Sequence, residues 1–407
     1  MNLNKKTVKE LDLNGKRVVM RVDFNVPLKD GVITDDTRIR AALPTIKYIL
    51  ENGASLTLLT HLGRPKGEVN PEFTVKPAAD YLATLLGKDV KFISDCIGEE
   101  AVAAAQALKP GQIMCCENTR FHKEEDMKCK GDADKIAAQE AFAAELAKLG
   151  DVYVNDAFGT AHRAHASTAI ITKFIDKANC VAGFLLDKEI QYLGQAIADP
   201  ARPFVAIIGG AKVSGKLEVL TALIEKVDTI LIGGGMAYTF LKALGHSIGN
   251  SLCEDDLLEV AKTTLAKAKE KGVKFLLPVD NIIADDFSND ANTEIVGLEI
   301  KDDWLALDIG PKTAELYANE ILEAKTVVWN GPMGCFEMPK FADGTMIVCS
   351  AIADSDSLSI IGGGDSVAAV NQSGLADKMS HISTGGGASL EFLEGKDLPG
   401  VCALTDR

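Results

Sequence analysis

The stretch Ile208-Gly-Gly-Ala-Lys-Val-Ser-Gly-Lys216 decides how this chain is read. The apolar run from Pro203 to Ile208 leads into it and predicts a buried strand. Leu217 to Val227 leaves it with apolar residues at helical spacing. A glycine-rich turn from strand to helix aims backbone N–H groups and a helix N-terminus at one point, which suits a phosphate. Lys212 and Lys216 add positive charge there. Gly210 to Lys216 matches the G-x-x-x-x-G-K part of a P-loop, but Leu217 follows, where a P-loop needs Ser or Thr for Mg²⁺. On its own the turn leaves phosphate binding and a plain tight turn both open.

Outward from this turn, apolar β-rich runs alternate with helical patterns. Strands are predicted at 17–22, 55–60, 90–93, 112–116 and 152–155, then at 204–208, 229–232, 273–277, 326–329 and 358–361. Helical patterns at 39–50, 77–86, 133–149, 255–268 and 312–320 lie between them. Strand alternating with helix means parallel sheets covered on both faces. The 407 residues are too many for one such sheet. The break is expected at 185–203, where 186–197 reads as one helix and Asp199-Pro-Ala-Arg-Pro203 stops it.

Composition narrows the classes. Hydrophobic residues make up 47% of the chain, enough for large cores, and the net charge of −15 argues against nucleic acid or an anionic membrane as partner. Nine cysteines, an odd number with no C-x-x-C pair, read as reduced thiols of a cytoplasmic protein. The polar start Met1-Asn-Leu-Asn-Lys-Lys6 gives no expectation of a secretory leader. No apolar run reaches the ~18 residues of a membrane span.

In open parallel sheets, ligands bind beyond the carboxyl ends of the strands. In the first half those ends read Arg21-Val-Asp-Phe-Asn-Val-Pro27, Thr60-His-Leu-Gly-Arg-Pro65, Glu117-Asn-Thr-Arg-Phe-His122 and Asn155-Asp-Ala-Phe-Gly-Thr-Ala-His-Arg-Ala-His165. Each delivers an arginine. Arg38, after the helix-start residues Thr34-Asp-Asp-Thr37, places a cation where the helix dipole opposes it unless an anion arrives. Arg38, Arg64, Arg120 and Arg163 at one sheet end read as a cradle for a small, strongly anionic substrate, since the guanidinium fork binds phosphate or carboxylate bidentately. His162-x-x-His165 lacks a third metal ligand and suits hydrogen bonding instead. In the second half the strand ends are glycine-rich: Ile232-Gly-Gly-Gly-Met236, Asp308-Ile-Gly-Pro311, Trp329-Asn-Gly-Pro-Met-Gly334, Ile361-Gly-Gly-Gly-Asp-Ser366 and Thr384-Gly-Gly-Gly387. Glycine lets a purine and a phosphate chain approach the backbone. Asp365 is either a ligand for a hard cation or a helix cap; Glu337 is either a ribose partner or a surface glutamate.

Taken in order, Arg21-Val-Asp-Phe-Asn-Val-Pro27, His61-Leu-Gly-Arg64, Glu117-Asn-Thr-Arg120, Ala161-His-Arg-Ala-His165, Gly209-Gly-Ala-Lys-Val213, Trp329-Asn-Gly-Pro332 and Gly362-Gly-Gly-Asp365 resemble the phosphoglycerate kinase family over nearly the whole chain. The resemblance implies an α/β fold of two Rossmann-like, doubly wound parallel-sheet domains joined by a hinge helix. It implies a phosphoglycerate-binding domain at 1–185, a connecting helix and hinge at 186–203, a nucleotide-binding domain at 204–387, and a tail at 388–407 packing back on the first domain. The implied reaction is reversible transfer of a phosphoryl group from 1,3-bisphosphoglycerate to ADP, giving 3-phosphoglycerate and ATP, in a monomer.

Carried over residue by residue, the resemblance gives a substrate site of Asp23, Asn25, Arg38, His61, Leu62, Gly63, Arg64, Arg120 and Arg163. The nucleotide site is Gly210, Ala211, Lys212, Lys216, Gly234, Gly310, Asn330, Pro332, Glu337, Gly363, Gly364, Asp365 and Ser366. Arg38, Lys212, Lys216, Gly363 and Gly386 are the implied catalytic set, and Asp365 the ligand of Mg²⁺. Ser366, Gly215 and Cys335 depart from the residues usual in the family, and none of them removes a charged group. Two rival enzyme classes fit less well: a P-loop NTPase lacks its hydroxyl at Leu217, and a nicotinamide dehydrogenase lacks a clear G-x-G-x-x-G. A two-lobed anion-binding protein leaves Lys212 and the second lobe's glycines without a use.

Overall fold

The computed structural model describes residues 1–407. They form two compact units, Met1–Gln191 with Asp397–Arg407, and Tyr192–Lys396.

The first unit holds strands β1 (Arg17–Arg21), β2 (Leu28–Lys29), β3 (Val32–Ile33), β4 (Ser55–Leu59), β5 (Lys91–Ile93), β6 (Ile113–Cys116), β7 (Val152–Asn155) and β8 (Cys180–Ala182). Six of these make one parallel sheet in the order β5-β6-β4-β1-β7-β8, while β2 and β3 form a small antiparallel hairpin. Every residue of β4, β6 and β7 is buried, because helices cover both faces. Beyond β1 the alternation continues: Val22, Phe24 and Val26 enter the core, with Ile39 and Ile46 of helix Thr37–Glu51. Arg21, Asp23 and Asn25 therefore turn the other way.

The second unit holds β9 (Phe204–Ile208), β10 (Thr229–Ile232), β11 (Lys274–Leu276), β12 (Asn281–Ala284), β13 (Thr293–Val296), β14 (Leu305–Ile309), β15 (Thr326–Asn330), β16 (Leu358–Gly362) and β17 (His381–Ile382). Its parallel sheet runs β11-β10-β9-β15-β16-β17, so the strand order reverses between β9 and β15. Asn330 lies in register with Ile208 on one side and Gly362 on the other. Three carboxyl ends are thus level at the reversal, where such sheets bind ligands.

Two expectations need correction. Asp308-Ile-Gly-Pro311 does not follow a strand of the parallel sheet. Its first two residues end β14, which pairs antiparallel with β12 in a separate three-stranded sheet of order β13-β12-β14. These strands are short, and β13 is mostly exposed, so no long apolar run marks them. The returning tail is also shorter than 388–407. Helix Gly386–Leu393 stays in the second unit, and only Asp397–Arg407 joins the first. There Asn155 Nδ2 donates to Gly400 O at 3.2 Å, and Lys5 Nζ pairs with Asp406 at 2.6 Å. Helix Phe184–Ala198 carries the last residues of the first unit's main segment and the first of the second unit, and it ends just before Asp199-Pro200.

Candidate active site

In the first unit the charged groups gather where β1, β4, β6 and β7 end. Arg38 opens helix Thr37–Glu51, yet it is not left against the dipole alone. Its Nη1 donates to both oxygens of Asp23 at 3.1 Å and to Asn25 O at 3.2 Å. The side chain stays 34% exposed, so much of the fork faces solvent. Asn25 Oδ1 accepts from Gly63 N at 2.9 Å, and Arg120 Nη1 donates to Gly63 O at 2.9 Å. One glycine peptide thus links the ends of β1, β4 and β6. Arg64 is exposed and has no partner in the protein, and Arg163 is also exposed.

Below this layer Arg21 is fully buried. Its Nε donates to Ser167 Oγ at 2.7 Å, its Nη2 meets His61 Nδ1 at 3.0 Å, and Glu125 lies 3.8 Å away. Glu125 in turn accepts from Ser167 N at 2.9 Å and Ser167 Oγ at 2.5 Å. Burial first, then the neighbouring Arg21 and Arg120, holds the His61 pKa well below its ordinary value. His165 falls to about 3 by burial and then Arg120, and His162 to about 4 by burial and then Arg163. Burial, followed by Arg21, also lowers the Arg120 pKa. Cations pressed together under neutral imidazoles make this end of the sheet a receptor for negative charge.

In the second unit one cleft of about 390 Å³ opens at the reversal of strand order. Gly210, Ala211, Lys212 and Lys216 reach it after β9, Asn330 ends β15, Gly363, Gly364 and Asp365 follow β16, and Gly386 follows β17. Lys216 Nζ donates to Asn330 Oδ1, and burial lowers the lysine's pKa. Asn330 Nδ2 is buried with no acceptor. Gly363 has φ +90°, and a Cβ on Gly386 would stand 2.8 Å from Gly363 Cα. Both positions therefore require glycine. Ser366 Oγ accepts from Gly331 N at 2.6 Å and holds the β15 turn from beneath. Asp365 is exposed in the first turn of helix Gly364–Ser373 and has no hydrogen bond or ion pair.

A family model described as phosphoglycerate kinase matches residues 8–396. The chain is 57% identical over 408 residues to a phosphoglycerate kinase of Chloroherpeton thalassium, covering 99% of this chain and all of that one. It is 56% identical over 412 residues to one of Clostridium novyi, covering both in full. A solved phosphoglycerate kinase structure from Coxiella burnetii superposes with a TM-score of 0.86 at 43% identity, covering 98% of each chain. The chain belongs to the phosphoglycerate kinase family. It is a phosphotransferase, and its reaction is that family's: reversible phosphoryl transfer from 1,3-bisphosphoglycerate to ADP.

Against this family's expected positions, the structure brings together most of the residues named from sequence. Asp23, Asn25, Arg38, Gly63 and Arg120 form one bonded group; His61 is held separately by Arg21, and Leu62 O accepts from Asn118 Nδ2 at 2.8 Å. Four residues stand differently. A Cβ on Gly234 would meet Gly210 N at 2.7 Å, and Pro332 O lies 2.0 Å from where a Gly209 Cβ would be, so both pack turn against turn. Gly310 packs over Asp280, and Glu337 is exposed; neither lines the cleft. Sequence reasoning passed over Ser167 and Glu125, and it quoted Arg21 without a role. The one available signal was an arginine continuing a fully apolar strand, which needs buried partners.

Proposed function

We propose that the arginine cluster of the first unit holds phosphoglycerate and the cleft of the second holds the nucleotide. The observation that carries this is complementary chemistry: the exposed Arg64 and part-exposed Arg38 guanidinium groups in one unit, and a glycine-built cleft with a half-buried lysine in the other. Arg38, Arg64, Arg120 and Arg163 bind the phosphate and carboxylate of the substrate. His61 donates a hydrogen bond, and Asp23 and Asn25 orient Arg38 and Gly63. Lys212, Lys216 and the amides after β9, β16 and β17 bind the nucleotide's phosphates.

The donor set also suits Mg²⁺. Asp365 offers one exposed carboxylate beside a cleft made for phosphates, and Mg²⁺ favours one or two carboxylates with substrate phosphate oxygens. Asn330 Nδ2, buried without an acceptor in the same cleft, marks room for an incoming oxygen. When bound, the ion neutralises charge on the nucleotide's phosphate oxygens.

Phosphoryl transfer asks the protein for position and charge stabilisation rather than covalent help. Arg38 and Lys212 supply cationic charge to the transferring group, Lys216 stays with the nucleotide's terminal phosphate, and amides near Gly363 and Gly386 donate to its oxygens. Both substrates must meet, so the reaction runs in a closed state reached by hinge motion at 186–203 and where the chain returns at 396–397. Closure excludes water that would hydrolyse the acyl phosphate. We place the enzyme in the cytoplasm as a monomer. No helix is long and apolar enough to cross a membrane.

Calorimetric titration tests the division of labour. Arg120→Ala weakens 3-phosphoglycerate binding and leaves ADP binding intact, and Lys216→Ala does the reverse. Loss of both ligands in either variant contradicts it.

A further inference from the structure

Three side chains of metal-ligand type converge beside the arginine cluster but outside it. Asp95 and Cys96 follow β5, and His122 follows the short turn Thr119–Phe121 after β6. One ligand atom from each lies within 4.8 Å of the other two. Ligands about 2.0–2.3 Å from a tetrahedral zinc stand roughly 3.5 Å from one another, so modest side-chain rotation closes the set.

The group is held in place. Asp95 Oδ1 accepts from Cys96 N at 2.6 Å and meets His122 Nε2 at 2.7 Å. The His122 ring packs on Phe142 with centroids 5.0 Å apart. Burial is graded from floor to mouth: Cys96 is 0% exposed, the His122 side chain 25% and Asp95 49%. An ion thus has an entry path, and at its floor is a thiol with no hydrogen-bond partner. The arginine cluster makes no use of any of the three.

We infer that Asp95, Cys96 and His122 form a binding site for a zinc-class divalent cation, with the fourth position open to water. Mixed sulfur, nitrogen and oxygen donors select a borderline ion such as Zn²⁺ or Co²⁺ over Mg²⁺. On binding, the Cys96 thiol releases its proton to solvent, and the cation replaces the hydrogen shared by His122 and Asp95. His122 stands two residues after Arg120, so an ion here fastens the turn that carries Arg120 to the end of β5.

The test is titration of chelator-stripped, nucleotide-free protein with Co²⁺, read by thiolate-to-cobalt absorption, with Zn²⁺ in competition. One equivalent is expected to produce the band and Zn²⁺ to quench it. Cys96→Ser abolishes the band, His122→Gln weakens affinity by at least roughly tenfold, and Cys402→Ser, at an exposed thiol, changes nothing. Circular dichroism checks folding. Should Cys96→Ser fail to fold, the half-exposed His122→Gln decides alone. No band in wild type, a band that survives Cys96→Ser, or unchanged affinity in His122→Gln overturns the site.

Discussion

Arg21 Nη2 stands 3.0 Å from His61 Nδ1, and both side chains are buried. A guanidinium can only donate, so Nδ1 accepts and the imidazole proton sits on Nε2. Buried arginine chemistry beneath the site thereby sets the donor that His61 presents above it. His61 is expected to stay neutral as the pH falls through the ordinary histidine range, since burial first, and then the cations around it, oppose protonation. Nitrogen NMR on labelled histidine checks this: one resonance pattern of the Nε2–H form, with no titration. His61→Gln, which keeps an N–H donor, should retain more 3-phosphoglycerate affinity than His61→Ala.

Arg38 and Asp23 form the second pair. Removing the carboxylate with Asp23→Ala frees Arg38 from its tether. The expected result is a raised KM for phosphoglycerate and a kcat lowered by about tenfold, with ADP affinity unchanged. Steady-state kinetics with each substrate varied in turn reads the split.

The glycines predict opposite outcomes at neighbouring positions. A Cβ on Gly209 meets Pro332 O at 2.0 Å, so Gly209→Ala should lower the Tm sharply. A Cβ on Gly215 meets nothing closer than Lys212 O at 4.0 Å, and its φ is not in the left-handed region. Gly215→Ala should be neutral or stabilise by up to about 1 kcal/mol, through a less flexible unfolded chain. Thermal denaturation of the two variants distinguishes them.

Asp156 is fully buried, and burial raises its carboxyl from 3.8 to about 7. Its Oδ1 accepts from Leu186 N at 3.1 Å, while Oδ2 has no partner. Asp308, which caps helix Asp343–Asp354 through Gly344 N at 2.8 Å, is raised to about 7 in the same way. Between pH 4 and 7 the folded chain keeps protons that the unfolded chain has released. Stability from these groups is therefore fully present near pH 4 and lost as pH rises through 7. Asp156→Asn, which mimics the neutral carboxyl, should flatten this fall and gain about 3 kcal/mol relative to wild type at pH 8. Denaturant unfolding across that range measures it; an unchanged slope removes Asp156 from the account.

Much of this was legible in the sequence, for definite reasons. Runs such as Phe204–Ile208 are buried on both faces, so they stand out as continuous apolar strands, and helices between such strands require parallel sheets. Residues following those strands must gather at one end, which exposed Arg38, Arg120, Lys216 and Asp365 to inspection. What the sequence does not write is which strand neighbours which. The Arg21–Ser167–Glu125 network joins residues 146 positions apart, and no local pattern announces it. Nor did β12 to β14 declare themselves, because all three are short and β13 is mostly exposed, with no apolar alternation. Gly310 and Glu337, read first from the strand-end pattern and then from the resemblance, do not line the cleft that the β9, β15 and β16 ends form.

The central claim is that cationic groups of both units serve one phosphoryl transfer. ATP formation from 1,3-bisphosphoglycerate and Mg-ADP tests it most directly, comparing wild type with Arg38→Ala and Lys212→Ala. The account predicts fast turnover in wild type and a loss of roughly a hundredfold or more in kcat for each variant. Wild-type turnover in either variant would contradict it.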